Sequence, residues 1–183
     1  LLLGAFREAG HRVMALPDLM TALEASVRAG AAMAAVPDRV AESFITALVV
    51  DVPDDRTTAE IIGSGHPPPL LVRGGRVSLL EAEPSCPLGL GDLAVARPAG
   101  LTFSFEVGDV LLLYTDGVTE ARDPGGAFYP LQERAAQWAR QSPHALVHHL
   151  RDDLLAFADG RLGDDAAVVA VERTWFSRSR GAV

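Results

Sequence analysis

The sequence is short of the residues that build several common classes of protein. Its 183 residues include one cysteine, Cys86, and neither lysine nor asparagine. A single thiol excludes an internal disulfide framework and a zinc site made of several thiolates. No apolar run reaches the roughly eighteen residues that a membrane-spanning helix needs. We therefore expect no membrane span in this chain.

Positive charge is also scarce. The chain has 16 basic residues, all of them arginine, against 24 acidic ones, and its formal net charge is −8. Nucleic-acid-binding domains usually carry a basic patch, so we predict no nucleic-acid partner. Apolar residues make up 49% and charged residues 22%, as in ordinary globular domains. The length predicts one domain over residues 1–173, followed by a loose tail over 174–183. Because the sequence shows neither a membrane span nor a charged leader, we expect this domain to be cytoplasmic.

The beginning of the sequence lacks a helix start. No Met and no Ser, Thr, Asp or Asn precedes the apolar pattern of its first residues, although helices normally begin with such a cap. We interpret residues 1–9 as the end of a helix that Gly10 terminates. We therefore expect the chain to be a piece of a longer protein, and the piece to begin within this helix. A second helix is predicted over 18–30, because apolar residues recur there at helical spacing after Asp18.

Strand patterns fill the middle of the sequence. An almost continuously apolar run over 44–50 predicts a strand buried on both faces, and 57–62 is its predicted partner. The Gly74-Gly75 pair predicts a hairpin between 70–72 and 77–80. A second hairpin is predicted between 101–105 and 110–114, across residues 106–109.

Helices return late in the chain, at 131–141 and from Ser142-Pro143 to about 158. A closing strand is predicted over 166–171. Strands and helices are therefore segregated along the sequence and do not alternate. This order predicts an α+β fold with antiparallel sheets.

Aspartates stand at the ends of two of the predicted strands. Asp116-Gly117 follows the apolar run 110–114, and Asp164-Asp165 leads directly into 166–171. If these strands are neighbours, the carboxylates gather at one edge of a sheet. Clustered carboxylates without His or Cys suit hard cations such as Mg²⁺ or Mn²⁺. The alternative is that each Asp is only a turn residue.

Four motifs in order resemble the stage II sporulation protein E-like branch of the metal-dependent protein phosphatases. They are Gly65-His66-Pro67-Pro68-Pro69-Leu70-Leu71, Pro87-Leu88-Gly89-Leu90, the segment from Gly108 to Arg122, and Gly163-Asp164-Asp165-Ala166-Ala167. The resemblance implies two packed, mainly antiparallel sheets flanked by helices, and a binuclear Mn²⁺ or Mg²⁺ centre. It also implies hydrolysis of phosphoserine or phosphothreonine on a protein, in bacteria usually an anti-sigma-factor antagonist.

The resemblance also suggests which residues carry the chemistry. Asp116 and Asp164 match the family's metal ligands and are the predicted catalytic residues, and Asp165 is a less certain third ligand. Gly117 is expected to leave room for the backbone beside the metals, and Glu120 to order the loop. Two cations held in this way activate a water molecule as the nucleophile.

One family motif is absent from the sequence. The family carries an Asp followed by Gly-His-Gly or Gly-Lys-Gly just before its first long helix, which is where this chain begins. We therefore expect the first strands to be missing, and the fragment to bind metal weakly and to be inactive alone. We also expect a sensor domain upstream in the parent protein and a homodimer formed through the apolar face over 19–27. The rival interpretation is a catalytically dead adaptor that binds a partner protein.

Three other patterns leave alternatives open. Ser64, within Gly63-Ser64-Gly65, could be the nucleophile of an unrelated hydrolase, but the prolines that follow it cannot begin the helix that such a motif requires. His144, His148 and Asp152 recur every four residues like a metal stripe, but they lie on the predicted solvated face of their helix with nothing else nearby to complete a site. Arg122 could meet a phosphate or, more simply, pair with a neighbouring acid.

Overall fold

The computed structural model describes residues 3–4, 6–7, 15–34, 44–91 and 99–175. Residues 3, 4, 6 and 7 are helical, whereas the predicted end at Gly10 and the tail over 176–183 lie outside the described residues. In chain order the elements are α1 (Leu16–Ala34), β1 (Ala47–Asp51), β2 (Thr58–Ser64), β3 (Leu70–Arg73), β4 (Arg76–Leu79), β5 (Leu101–Ser104), β6 (Val110–Tyr114), α2 (Asp116–Thr119), α3 (Leu131–Gln137), α4 (Pro143–Phe157) and β7 (Val168–Glu172).

The chain divides into two compact units, each with its own sheet. The first unit comprises Leu1–Val52, Thr58–His66 and Ala82–Phe103, and the second Pro53–Thr57, Pro67–Glu81 and Ser104–Val183. The strand orders are β1-β2-β5 in one sheet and β4-β3-β6-β7 in the other. The predicted α+β class, with two antiparallel sheets and helices, is confirmed.

The first unit is organised around helix α1. The apolar stripe of the helix buries Leu19, Met20, Leu23 and Val27 against a strand core that includes Val49 and Ile62. Each such side chain contributes roughly 1.5–3 kcal/mol when it is fully buried. The face over 19–27 is therefore occupied within the chain and is not the free surface that the expected homodimer contact requires. The helix extends beyond the predicted bounds at both ends.

Helix α1 is also bound to the loop that carries the Pro-Leu-Gly-Leu motif. The half-buried Glu24 accepts hydrogen bonds from the backbone N–H of Gly89 (2.6 Å) and of Gly91 (3.1 Å). One side chain thus fixes the position of the loop against the helix.

The second unit contains the four-stranded sheet. Strands β3 and β4 form the predicted hairpin, and Gly74 (φ +57°) and Gly75 (φ +80°) supply the left-handed backbone that its tight turn requires. Strands β6 and β7 pair antiparallel, with Val110 opposite Glu172 and Tyr114 opposite Val168. The end of β6 therefore lies beside the beginning of β7.

Helices α3 and α4 contribute to the core of the second unit. Leu146, Leu150 and Leu154 of α4 join the buried faces of β3 and β6, as expected for one apolar helix stripe. Helix α4 begins as predicted, with Ser142 accepting a hydrogen bond from the backbone N–H of Ala145 (3.3 Å) and with Pro143 in the first turn. Helix α3 ends at Gln137, four residues before its predicted end.

The predicted hairpin between β5 and β6 is wrong. The two strands belong to different sheets, β5 beside β2 and β6 between β3 and β7. The connection contains the predicted turn, closed by a hydrogen bond from Asp109 N–H to Glu106 O (2.9 Å), but Asp109 is buried and paired with Arg73 of β3. This ion pair joins the start of β6 to the end of β3, its neighbour in the second sheet.

Strand β1 also differs from its prediction. It spans Ala47–Asp51 and is only partly buried, whereas the sequence predicts a strand over 44–50 buried on both faces. Phe44 and Ile45 lie before the strand and are exposed. The predicted break at Pro37-Asp38 lies outside the described residues.

Candidate functional site

Asp116 lies where strand β6 ends. It is the first residue of the single-turn helix α2, and its side chain is exposed. One carboxylate oxygen, Oδ1, accepts a hydrogen bond from the backbone N–H of Gly117 (2.9 Å). The carboxylate is thus oriented by its own loop and open to solvent, as a metal ligand must be before it binds.

Asp164 repeats this arrangement before strand β7. Its Oδ1 accepts a hydrogen bond from the backbone N–H of Asp165 (2.7 Å), and both side chains are exposed. Asp116 and Asp164 therefore each use one oxygen to fix the carboxylate against the next residue.

The two aspartate loops are joined directly by Thr115. The hydroxyl of Thr115 donates to the backbone carbonyl of Asp165 (3.1 Å) and accepts from the backbone N–H of Ala167 (2.9 Å). The backbone N–H of Thr115 also donates to the carbonyl of Ala167 (3.1 Å). We did not predict this role for Thr115. The feature of the sequence that could have indicated it is a β-branched hydroxyl residue between a strand and an Asp-Gly turn.

Gly117 is required by the close approach of the two loops. A Cβ atom at this position would lie 2.5 Å from the carbonyl oxygen of Asp165 and 2.9 Å from its carbonyl carbon. Both atoms belong to the backbone, so no side-chain movement relieves the clash. The sequence predicts that glycine is needed here to leave space beside the metals. The structure shows a different neighbour, because the atoms closest to Gly117 belong to the Asp165 peptide.

Glu120 and Tyr114 flank Asp116 along the chain. Glu120 is exposed, and its backbone N–H donates to the carbonyl of Asp116 (2.8 Å), closing the turn of α2. Tyr114 is buried, its hydroxyl donates to the carbonyl of Pro68 (2.7 Å), and burial raises the pKa of this phenol. Tyr114 thereby fixes the end of β6 from which the aspartate loop begins.

The aspartates of the two loops carry the type of donor atom that a hard cation binds. Asp116, Asp164 and Asp165 offer carboxylate oxygens, which Mg²⁺ and Mn²⁺ prefer. Across the described part of the chain, however, no three His, Cys, Asp or Glu side chains are grouped so that they could hold a metal ion. A complete centre would therefore draw further ligands from outside these residues.

The remaining candidates lie elsewhere. Ser64 is only 1% exposed on β2, so its hydroxyl is closed to a substrate. His66 lies near Thr46, with 3.4 Å between Nδ1 and the hydroxyl oxygen.

Arg122 donates to the carbonyl of Gly126 (3.0 Å), and its guanidinium lies 3.8 Å from the centre of the Phe128 ring. This aromatic contact replaces the acidic neighbour that we predicted for Arg122.

No helix among the described residues has the length and apolar character needed to cross a membrane.

The family model of stage II sporulation protein E (SpoIIE) matches residues 1–174. Among solved structures, the SiaA-PP2C domain of Pseudomonas aeruginosa has a TM-score of 0.77 at 15% identity, with 94% of this chain and 68% of that chain covered. The RsbU and RsbW domains of Rv1364c from Mycobacterium tuberculosis give a TM-score of 0.75 at 23% identity, with 95% of this chain and 46% of that chain covered.

The manganese-presoaked phosphatase domain of the cell fate determinant SpoIIE from Bacillus subtilis gives a TM-score of 0.59 at 14% identity, with 94% of this chain and 71% of that chain covered. At these identities the likeness shows the fold. The chain spans less than half of the Rv1364c structure, and no functionally curated protein matches the sequence.

Proposed function

Because the chain belongs to the SpoIIE family, we propose that it forms the Asp116- and Asp164-bearing part of a metal-dependent protein serine/threonine phosphatase. The observation that carries the proposal is the meeting of two aspartate loops at one end of the β6–β7 pair. Strand register brings these loops together from positions 48 residues apart in the sequence.

The residues of the site would act mainly by holding carboxylates in place. Asp116 and Asp164 would be ligands through the oxygens that their own loops leave free, with Asp165 as a further candidate. Thr115 and Gly117 act as positioning residues, since they join the loops through backbone contacts. Bound Mn²⁺ or Mg²⁺ would activate water for attack on phosphorus and neutralise the phosphoryl oxygens.

This chemistry needs no nucleophile from the protein. The attacking water would add its oxygen to phosphorus while the bond to the serine or threonine oxygen breaks, and one proton of the water would pass to that oxygen, giving inorganic phosphate and the free hydroxyl. Ser64 is buried, which agrees with a mechanism that uses no covalent enzyme intermediate.

The proposed substrate is a phosphorylated protein of the anti-sigma-factor antagonist type. Family resemblance supports this class, and in Rv1364c an RsbU domain occurs together with an RsbW domain. We also propose that the 183-residue chain alone binds metal weakly and is inactive, because its described residues supply too few ligands for two cations.

The second candidate is an adaptor that binds a partner protein without catalysis. The absence of a three-ligand group from the described residues favours it. The two candidates differ in a measurable way, because an adaptor gains no activity when the chain is tested in its longest natural form.

The test is Mn²⁺-dependent hydrolysis of p-nitrophenyl phosphate and of a phosphoserine peptide. It compares the 183-residue chain with the longest natural form of the protein, each as wild type, Asp116→Asn and the control Asp152→Asn. Asp152 is exposed and paired with Arg151 on α4. The phosphatase predicts activity in the longer form that falls about 100-fold or more in Asp116→Asn and stays in Asp152→Asn. Activity absent throughout would contradict the phosphatase proposal and favour the adaptor, and activity equal in Asp116→Asn would contradict the role of Asp116.

A further inference from the structure

We propose that His144 and His148 on helix α4 form a second metal site, which binds one borderline divalent ion such as Zn²⁺ or Ni²⁺. The site is separate from the aspartate loops and does not depend on phosphatase activity. It rests on the geometry of the two imidazoles and on their exposure.

The two histidines bring the same ring nitrogen close together. Their Nε2 atoms are 3.1 Å apart, and their ring centres are 4.3 Å apart with a tilt of 56° between the planes. Four residues separate them in the sequence, so they lie one above the other on the same face of the helix. One Nε2 donates to the other when it carries the proton.

The separation of the nitrogens suits a shared ion. Bonds from imidazole nitrogen to zinc are about 2.0–2.1 Å. Two such bonds place the nitrogens roughly 2.9 Å apart at a right angle and roughly 3.3 Å apart at the tetrahedral angle. The observed 3.1 Å falls between these values. The two nitrogens are therefore close enough to bind one ion once both rings turn their lone pairs towards it.

The site is open to solvent. His144 and His148 are exposed, on the face of α4 opposite the buried Leu146 and Leu150. An ion can reach them without disturbing the core, and water can occupy its other coordination positions.

The neighbouring His149 is a natural contrast. It is also exposed, but its ring stacks on Trp138, with 5.4 Å between ring centres and 13° between planes. It therefore serves as a matched control on the same helix.

The donor atoms determine which ions the site prefers. Imidazole nitrogen suits Zn²⁺, Ni²⁺ and Cu²⁺, and affinity for such ligands rises from Mn²⁺ through Ni²⁺ to Cu²⁺. Asp152 follows one turn later, but one of its oxygens is held by two nitrogens of Arg151 at 2.8 and 3.0 Å. With two nitrogen ligands and no carboxylate, this site has little affinity for Mg²⁺ or Mn²⁺, the ions expected at the aspartate loops.

The experiment is a Zn²⁺ titration of the metal-free, untagged protein, followed by calorimetry and by NMR spectra of the imidazole nitrogens. We expect the Nε2 signals of His144 and His148 to shift together as one ion binds to the pair, and the signals of His149 to stay in place. The variants His144→Gln and His148→Gln should each weaken this binding about tenfold or more, whereas His149→Gln should bind as the wild type does. Mn²⁺ at the same concentration should leave the imidazole signals in place.

Equal zinc affinity in His144→Gln, His148→Gln and the wild type would overturn the proposal. So would imidazole shifts confined to His149 or His66. Circular dichroism of each variant shows whether α4 is intact, and exposed Gln is a good helix former. A loss of binding with unchanged helicity is therefore a loss of the ligand. Because the readout is the imidazole signals and not turnover, failure here is distinguishable from failure of the phosphatase proposal.

Discussion

Aspartates stand at both ends of strand β6 and are held in opposite ways. Before the strand, Asp109 is 3% exposed and accepts hydrogen bonds from Arg73 Nε (2.9 Å), Arg73 Nη2 (2.5 Å) and the backbone N–H of Glu106 (2.6 Å). After the strand, Asp116 is exposed and accepts one hydrogen bond from the adjacent backbone. The first carboxylate is satisfied by the protein, and the second has oxygens left for a ligand.

The contrast separates a structural carboxylate from a functional one on the same strand. A buried carboxylate must be paired because its desolvation is costly, and the pairing at Asp109 fixes how the chain enters the sheet. An exposed carboxylate is costly to the fold only if it is crowded by like charges. The fold therefore does not require the carboxylate of Asp116, which can serve in binding. The same substitution at Asp109 and at Asp116 should have different consequences.

The largest expected effects come from that paired substitution. Asp109→Asn places an amide N–H₂ among three N–H donors and should cost about 2–3 kcal/mol of unfolding free energy. This is below the ~3–5 kcal/mol for a fully buried pair, because the Arg73 side chain is 43% exposed. Asp116→Asn should change the unfolding free energy by less than about 0.5 kcal/mol while removing Mn²⁺-dependent activity. Urea unfolding at pH 7 measures the first quantity, and equal destabilisation by both variants would remove the distinction.

The next effect in size concerns Gly117 and tests whether the loops must touch. Gly117→Ala puts a methyl group 2.5 Å from the carbonyl oxygen of Asp165, so the loops must separate. We expect activity of the longest natural form to fall about tenfold or more, with a lowered Tm. Gly163→Ala is the control, because a Cβ there meets nothing within 4 Å. Full activity in Gly117→Ala would show that the contact is dispensable.

Thr115 should show a smaller effect. Thr115→Val keeps the shape and removes the hydroxyl that joins Asp165 to Ala167, which should cost about 1–2 kcal/mol of unfolding free energy and raise the Mn²⁺ concentration needed for half-maximal activity. Thr115→Ser retains the hydroxyl and should restore both values. A serine variant no better than valine would assign the effect to packing.

Tyr114 should show the smallest effect, and it depends on pH. Burial raises the pKa of this phenol, so the folded state holds the proton more tightly than the unfolded state. Its contribution to stability is present below the ordinary tyrosine pKa of about 10 and is lost as the pH rises above it. Tyr114→Phe should therefore be about 1 kcal/mol less stable than the wild type at pH 8, with a smaller difference at pH 10.5. A difference that grows with pH would contradict the assignment.

Local patterns in the sequence predict local structure well. The Gly74-Gly75 turn and the Ser142-Pro143 helix start are confirmed, because each depends on the backbone preferences of a few adjacent residues. The sequence predicts that the Asp116 and Asp164 loops meet if strands β6 and β7 are neighbours. The structure shows that these two strands pair. The motifs that resemble the SpoIIE family supply the rest of the expected site.

What could not be predicted depends on partners distant in the sequence. The β5–β6 connection has the composition of a hairpin turn, but β6 pairs with β3, and Asp109 binds Arg73 of that strand, 36 residues earlier. Gly117 was assigned to the metals because its close neighbour, the Asp165 peptide, becomes visible only once β6 and β7 are side by side. The role of Thr115 was missed for the same reason.

The most direct test of the aspartate site is Mn²⁺-induced broadening of backbone amide signals in the ¹⁵N-labelled chain. The ion is paramagnetic, so weak binding suffices and turnover is not needed. The account predicts that the amides of Gly117, Asp165 and Ala166 broaden at the lowest Mn²⁺ concentrations, and that Asp116→Asn abolishes this while Asp109→Asn retains it wherever the variant is folded. Broadening that spares these amides, or that is unchanged in Asp116→Asn, would contradict the assignment of Asp116 and Asp164 as the ligands.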